Sequence, residues 1–371
     1  MTFDPSNEGV CMLYDGQTGR SLFGTDPLKS VHNVHYVQNG HKNPLLGYLA
    51  YPNPHLKNEI PDARFYEYES LHVTLSPALA GRRAPQITSN KETLHCVQSD
   101  TGYSTSGRLE QSVTKAEYIK KIHQIKELLA AGEVYQINYA IRFRKKFKGS
   151  PYALFSKLVA HNPAAYSAYL NCGDFHILSA SPEQLFRVRG RLITTQPIKG
   201  TAPKSGGQSA LKNLLASPKE RAELDMITDL ERNDLGRVCE FGSVRLTKER
   251  ALMELPNLWH TYSEVRGRLR SDVRPPHILQ ALFPGGSVTG CPKLRAMEYI
   301  EKLEGHPRNI FTGSIGYFSG SKIDFNIAIR TALIHHGLVE YWAGGGIVAD
   351  SDPEKEYAEC LLKAEKFLQL L

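Results

Sequence analysis

Arg191-Leu192-Ile193-Thr194-Thr195-Gln196-Pro197-Ile198-Lys199-Gly200-Thr201 opens as a strand and closes as a turn. β-Branched residues dominate its first half, whereas proline and glycine punctuate the second. The Gly/Pro/Ser-rich turn reads from Pro197 through Gly207, which displays Lys199 from a strand end. Loops held by a rigid scaffold are where binding chemistry concentrates. Read alone, Lys199 is first of all a solvated surface lysine.

Outward from this stretch, short strands recur on both sides with a few long helices between them. Upstream, Thr114 and Glu117 form a T-x-x-E capping box, and Tyr118, Ile122, Ile125 and Leu129 repeat at helical spacing up to Gly132. Residues 133–141 alternate as a strand, Ser150-Pro151 opens a second helix, and short strands run from about Ala165 to Thr195. Among them, Ser181-Pro182-Glu183 places a carboxylate at a strand break. Residues 1 to about 110 read as a β-rich part without assignable chemistry, and Gln98 to Gln111 as an exposed polar connection.

Downstream, Ser217-Pro218-Lys219-Glu220 starts a helix that ends near Arg232-Asn233-Asp234, and a strand from Arg237 to Leu246 leads towards His260. Phe283 to Lys293 is a Gly-rich loop feeding a helix with Pro292 in its first turn. Strands follow around residues 310–318 and 325–334, then a third through Tyr341-Trp342-Ala343-Gly344-Gly345-Gly346, and the last helix begins at Asp352-Pro353. Without regular β-α alternation, this order predicts an α+β fold with antiparallel sheets.

Composition is that of an ordinary globular protein: 371 residues, 41% hydrophobic and 22% charged, enough for a sizeable core. A basic n-region, an apolar h-region and any run long enough to span a membrane are all absent, so a cytoplasmic protein is expected. Cys11, Cys96, Cys172, Cys239, Cys291 and Cys360 form no C-x-x-C pair, which argues against a zinc ribbon or redox dithiol. The net charge of +7 decides little, because the one dense basic run, Arg142 to Lys148, alternates with Phe143 and Phe147 as a half-solvated strand would.

Two acid pairs, Glu220/Glu223 and Glu356/Glu359, are each spaced i, i+3, so both members share a helix face. Oxygen donors without His or Cys suit a hard ion such as Mg²⁺, although Glu220 also reads as the N3 residue of a capping box. Residues 284–290 and Gly344 to Gly346 could each offer backbone N–H groups to an anion, although a plain turn accounts for either run taken alone. The first lacks P-loop order, because Lys293 follows Pro292 and not Gly290. His260, singly, reads as a packed core histidine. Arg330, inside the apolar stretch Asn326 to Leu333, needs a carboxylate partner, internal or on a ligand.

Taken together, Tyr135-Gln136-Ile137-Asn138, Ser181-Pro182-Glu183, Pro197-Ile198-Lys199-Gly200-Thr201, residues 220–237, 286–293, Gly316-Tyr317, Arg330 and residues 343–359 resemble the chorismate-utilising enzymes, and among them the aminodeoxychorismate synthase branch. The resemblance covers about residues 112–371 and implies one structural domain over residues 1–371: a single large α/β sandwich of two antiparallel sheets with outer helices. Residues 1–111 would be its short β-rich N-terminal part and 112–371 its chorismate-binding part. Lys199 stands where anthranilate synthases have alanine, and Gln136 where isochorismate and salicylate synthases place a water-activating lysine. That combination favours amination at C4.

The resemblance further implies chorismate and ammonia as substrates, Mg²⁺ as cofactor and a glutamine amidotransferase subunit as partner, with p-aminobenzoate and folate synthesis downstream. Lys199 would attack C2 while Glu183 protonates the departing hydroxyl, with His260 assisting. Glu223 and Glu359 would hold Mg²⁺ directly, and Glu220 and Glu356 mostly through water. Gln136, Thr201, Ser287, Tyr317, Arg330 and the N–H groups of Gly344, Gly345 and Gly346 would line the substrate site. The alternatives are an anthranilate or isochorismate synthase and, from another class, a non-catalytic binder of acidic metabolites or nucleic acid.

Overall fold

The computed structural model describes residues 11–15, 20–24, 29–31, 45–52, 63–67, 72–75, 102–254 and 258–371. In chain order the elements begin with β1 (Cys11–Asp15), β2 (Arg20–Gly24), β3 (Lys29–Val31), β4 (Leu45–Leu49), β5 (Ala63–Glu67), β6 (His72–Leu75) and β7 (Tyr103–Gln111). Next come α1 (Lys115–Ala130), β8 (Gln136–Gly149), α2 (Pro151–His161), β9 (Tyr166–Asn171), β10 (Phe175–Ser181), β11 (Gln184–Arg189), β12 (Leu192–Gln196) and β13 (Ile198–Pro203). They continue with α3 (Gly207–Ala216), α4 (Pro218–Gly236), β14 (Arg245–Glu254), β15 (Leu258–Arg268), α5 (Pro275–Leu282), β16 (Gly290–Cys291) and α6 (Lys293–Glu304). The last are β17 (Ser314–Ser319), β18 (Lys322–Asn326), β19 (Thr331–His335), β20 (Leu338–Ile347) and α7 (Pro353–Leu368).

The described strands form two antiparallel sheets. One runs β16-β8-β20-β19-β10-β9-β1-β2-β6 with β7 on β8; the other runs β13-β15-β12-β11-β18-β17-β4-β5-β3 with β14 on β15. The N-terminal strands therefore split between both sheets. Leu46, Tyr48, Leu170, Ile177, Ile315, Leu333 and Trp342 pack in the apolar layer between the sheets. On the outer face of the first sheet, Tyr118, Ile122 and Ile125 of α1, Ile300 of α6 and Phe367 of α7 join the core. On the second, Leu235 of α4 and Ile278 and Leu282 of α5 pack on Phe186, Val265 and Phe325. This is the expected α+β sandwich.

The helix starts follow from their caps. Thr114 and Glu117 close the capping box on α1, Ser150 caps α2 with Pro151 at its first turn, Ser217 accepts from Glu220 N at α4, and Asp352 accepts from Lys355 N at α7. Several boundaries differ from expectation. Residues 103–111, read as an exposed connection, form β7: it is mostly exposed and carries no apolar alternation, but its backbone pairs with β8. Residues 237–244 turn before the strand starts at Arg245. Pro292 is the N-cap of α6, not part of its first turn. Arg330 lies outside any strand, between β18 and β19, with a left-handed φ of 50°.

One buried ion pair ties these layers together. Arg308, fully buried, donates Nε to Glu304 Oε2 at 2.9 Å and Nη2 to Glu304 Oε1 at 2.6 Å. It also reaches Asn138 O at 2.8 Å and Val288 O at 3.1 Å, while Glu304 Oε1 accepts from Ala140 N at 3.0 Å. Glu304→Ala leaves the guanidinium buried without its counter-charge and is expected to destabilise the fold by about 3–5 kcal/mol. Urea unfolding monitored by circular dichroism reads this as a lower midpoint at unchanged slope.

Candidate functional site

The Lys199 stretch is not a loop. After a break at Pro197 the chain resumes pairing with the same neighbour: β12 lies on β15 from Leu192↔Arg268 to Thr195↔Val265, and β13 from Ile198↔Tyr262 to Pro203↔Leu258. The turn expected from Pro197 to Gly207 is thus a strand to Pro203, because proline is tolerated at an interruption and Ser263 N still donates to Pro197 O at 3.2 Å. Lys199 pairs with Thr261 and Thr201 with His260, so Gly200 is the extra residue of a bulge, the device by which a strand re-aims its side chains. Gly200 has φ 76°, and a Cβ there would stand 2.8 Å from Leu214 Cδ1 and 2.9 Å from Thr261 Oγ1. Only glycine fits.

Lys199 Nζ reaches Ser287 O at 3.5 Å, which joins β13 to the short helical turn Gly286–Val288. Glu183 faces the same group. Its backbone is held between β10 and β11 by Ser181: Glu183 N donates to Ser181 Oγ at 3.2 Å, and Ser181 Oγ donates to Ile327 O at 2.6 Å. The Glu183 side chain is 5% exposed. Burial raises its carboxyl above the usual range, opposed by Lys199, Ser287, the Ile198 backbone and Arg330. Glu183 Oε1 and Ser287 Oγ lie close yet neither settles into a well-formed hydrogen bond, leaving two buried polar atoms open to a ligand.

His260 on β15 shares a 2.8 Å hydrogen bond between Nδ1 and Thr201 Oγ1, and its Nε2 has no partner among the described residues. Burial, with Arg330 second, pushes its pKa down to about 4, so the ring is neutral at pH 7. Gln136, the first residue of β8, is fully buried, and both its amide atoms lack a partner among the described residues. It packs on the backbone of Gly346, where a Cβ would meet Gln136 Nε2 at 2.6 Å. Beyond Tyr341 the edge of β20 facing away from β8 has no strand partner among the described residues; Gly344 O accepts from Lys363 Nζ at 3.0 Å, which leaves backbone of Gly345 and Gly346 available to a ligand. Tyr317 is placed elsewhere along β17, its hydroxyl 3.4 Å from Arg189 Nη2 and beside Asp324 and Arg187. No described contact joins it to Lys199.

The four glutamates come from helices on opposite layers, α4 and α7. Glu220 Oε2 lies where a Cβ on Gly200 would be 3.2 Å away, and Glu356 Oε2 is 3.6 Å from the corresponding point on Gly345. Burial raises the Glu223 carboxyl, with Glu220 and Glu356 adding to the rise and Lys199 and Lys219 opposing it. Burial also acts to raise Glu359, but Lys363 at 2.8 Å leaves it below the usual range. Lys219, which sequence reasoning passed over, bridges the layers: its Nζ is 3.4 Å from Glu356 Oε1 and 3.9 Å from Glu223 Oε1. Its partners lie far away in sequence or one turn on, so no local pattern marks it.

Among the described residues, no three such side chains converge as a closed metal cage. A Mg²⁺ ion needs only one or two direct carboxylates, since it keeps several waters. Acidic oxygens that draw a lysine ammonium between them are chemically suited to a hard cation, and the donor set fits one.

The chain also has recognisable relatives. The profile of the family described as chorismate binding enzyme matches residues 9–369. An aminodeoxychorismate synthase component 1 from Bacillus subtilis is 37% identical over 313 residues, covering 82% of this chain and 63% of that protein. An anthranilate synthase component 1 from Pseudomonas putida is 41% identical over 257 residues, covering 68% of this chain and 52% of that protein. The chain thus spans about half to three-fifths of these relatives' length. In three dimensions, anthranilate synthase component I from Streptococcus pneumoniae superposes with a TM-score of 0.73 at 26% identity, over 97% of this chain and 90% of that one. No described helix is long and apolar enough to cross a membrane.

Proposed function

The chain belongs to the chorismate binding enzyme family, and from that premise we propose that it is an aminodeoxychorismate synthase, converting chorismate and ammonia to 4-amino-4-deoxychorismate. One observation carries the choice within the family. Lys199, on a bulged strand, places its amine near Ser287 O and within electrostatic reach of both buried Glu183 and partly buried Glu223.

The amine of Lys199, once neutral, attacks C2 of chorismate. Glu183 gives its proton to the hydroxyl oxygen at C4, the C4–O bond breaks and water leaves. Ammonia then bonds to C4, the double bond shifts, and the C2–N bond to Lys199 breaks. The proton shed by the new amine returns to Glu183, so the enzyme is restored. Glu183 suits the acid's role because burial favours its neutral form. Neutral His260 and Gln136 supply unpaired buried polar atoms for orienting the ring.

Arg330, in reach of Glu183, His260 and Tyr341, offers a fixed positive charge to a substrate carboxylate. Glu223 and Glu359, with Glu220 and Glu356 through water, would hold Mg²⁺. When bound, Mg²⁺ supplies positive charge for the ring carboxylate. Glu223→Gln is expected to raise the Mg²⁺ concentration for half-maximal rate by about tenfold or more. A Mg²⁺ titration of the rate reads it.

Ammonia comes either from solution or from a glutamine amidotransferase partner; the name "component 1" of the relatives points to a second component. The test is incubation with chorismate, Mg²⁺ and ammonium at alkaline pH, with the product identified by mass and by conversion to p-aminobenzoate through an added lyase. The expected product carries the amine at C4. Anthranilate, the 2-amino aromatic, would instead assign the chain to the anthranilate synthase activity of its other relatives.

A further inference from the structure

Behind Glu183 lies a second buried acid that the reaction above leaves idle. Leu224, Ile227, Thr228, Glu231, Asp234 and Leu235 form the buried face of α4, so Glu231 and Asp234 sit on a stripe that otherwise packs a core. Asp234 is neutralised by Lys293 at the start of α6, with Nζ to Oδ2 at 2.7 Å. Among the described residues, Glu231 has no such cation of its own. It is 7% exposed, its Oε2 is unpartnered, and the groups facing it are Thr195 of β12, Glu183, Asp234 and, opposing, Lys293. Glu183, in turn, faces Lys199, Ser287 and Arg330 and keeps its own Oε1 unpaired. The turn at Gly285 and Gly286 packs against Leu185, two residues from Glu183, and against Leu230, next to Glu231, so the two buried carboxyls, each with a free oxygen, flank one turn and cannot both ionise cheaply.

From this geometry we propose that Glu231 is a positioning residue for Glu183: once Glu183 has spent its proton the pair still holds one, which Glu231 returns to Glu183. The inference rests on the reading of Glu183 as the acid that protonates the departing hydroxyl. In that step Glu183 passes its proton to the C4 oxygen, which leaves as water. Glu231 transfers its proton to the Glu183 carboxylate and becomes the carboxylate of the pair. The proton shed by the incoming ammonia after the C–N bond forms returns to Glu183, whose own proton moves back to Glu231. Burial, with Glu183 and Asp234 adding, holds the Glu231 carboxyl up to about 8 against Thr195 and Lys293, so it still carries its proton at neutral pH.

Glu231→Gln keeps the shape and loses the proton. Its alkaline limb of kcat is expected to move down by about one pH unit with KM for chorismate unchanged. A kcat lowered equally at every pH, or an unshifted limb, would overturn the proposal in favour of a packing role.

A second measurement needs no turnover. The infrared carboxyl band that Glu231→Gln removes should titrate at lower pH in Glu183→Gln than in the parent protein, because the neighbouring negative charge is gone. An identical titration would show the two acids uncoupled and sink the idea. If the band shifts while the parent protein forms no aminodeoxychorismate, the pairing stands and the functional reading fails.

Discussion

Lys199→Ala is expected to lower aminodeoxychorismate formation from chorismate and ammonia by about a thousandfold or more, the loss that follows when a covalent nucleophile is removed and only binding and electrostatics remain. The fold should survive the change. Lys199 is half-buried, and its side chain adds only the 3.5 Å contact of Nζ with Ser287 O to ties that run through the backbone: its carbonyl accepts from Thr261 Oγ1, and its pairing with β15 does not involve the side chain. Ammonia-dependent rates with a coupled lyase, alongside a circular dichroism spectrum, separate lost chemistry from lost structure. Product at the parent rate would show that the amine takes no part.

Glu183→Gln should cost about a hundred- to ten-thousandfold in kcat, the range for a general acid. The amide keeps the volume and cannot protonate the leaving oxygen. The sign of the pH effect follows from burial. Because the neutral form of Glu183 is favoured above the usual carboxylate range, it is active at low pH and lost as pH rises through its folded value. Residual activity of the variant should therefore lack that falling limb. A variant that keeps both its rate and its limb would move the acid elsewhere in the site.

Much of this site is legible in residue order, and the exceptions have physical reasons. The caps at Thr114, Ser150, Ser217 and Asp352 are local signals, satisfied by neighbours three residues on, and each marks a helix in the structure. The i, i+3 spacing of the glutamates likewise survives as a shared helix face. Residue order misplaces Lys199 in a turn because Pro197 and Gly200 are turn formers, whereas here one interrupts a strand at the sheet's end and the other makes a bulge. Strand β7 is invisible in the sequence because its side chains are largely solvated on both faces; only backbone pairing with β8 defines it.

The apolar neighbours of Arg330 read as a strand around it, yet Ala180 N donates to its carbonyl at 3.0 Å while its own φ of 50° takes it out of the strand. A non-glycine residue in that region costs energy and persists where its surroundings hold it, commonly at ligand sites. Glu231 carries a signal that is legible in principle, since it falls seven residues after Leu224 and four after Ile227 on the apolar stripe of α4. Lys219 carries none, because its bridge to Glu356 joins two helices that only the folded chain brings together.

The proposed chemistry turns on a covalent bond between Lys199 and the substrate ring, and the intact mass of the protein tests it most directly. Quenched after mixing with chorismate and Mg²⁺ in the absence of ammonia, the protein should gain the mass of chorismate less one water, and proteolysis should place the gain on the peptide containing Lys199. Unchanged mass in that experiment, from a preparation that makes 4-amino-4-deoxychorismate once ammonium is added, would contradict it.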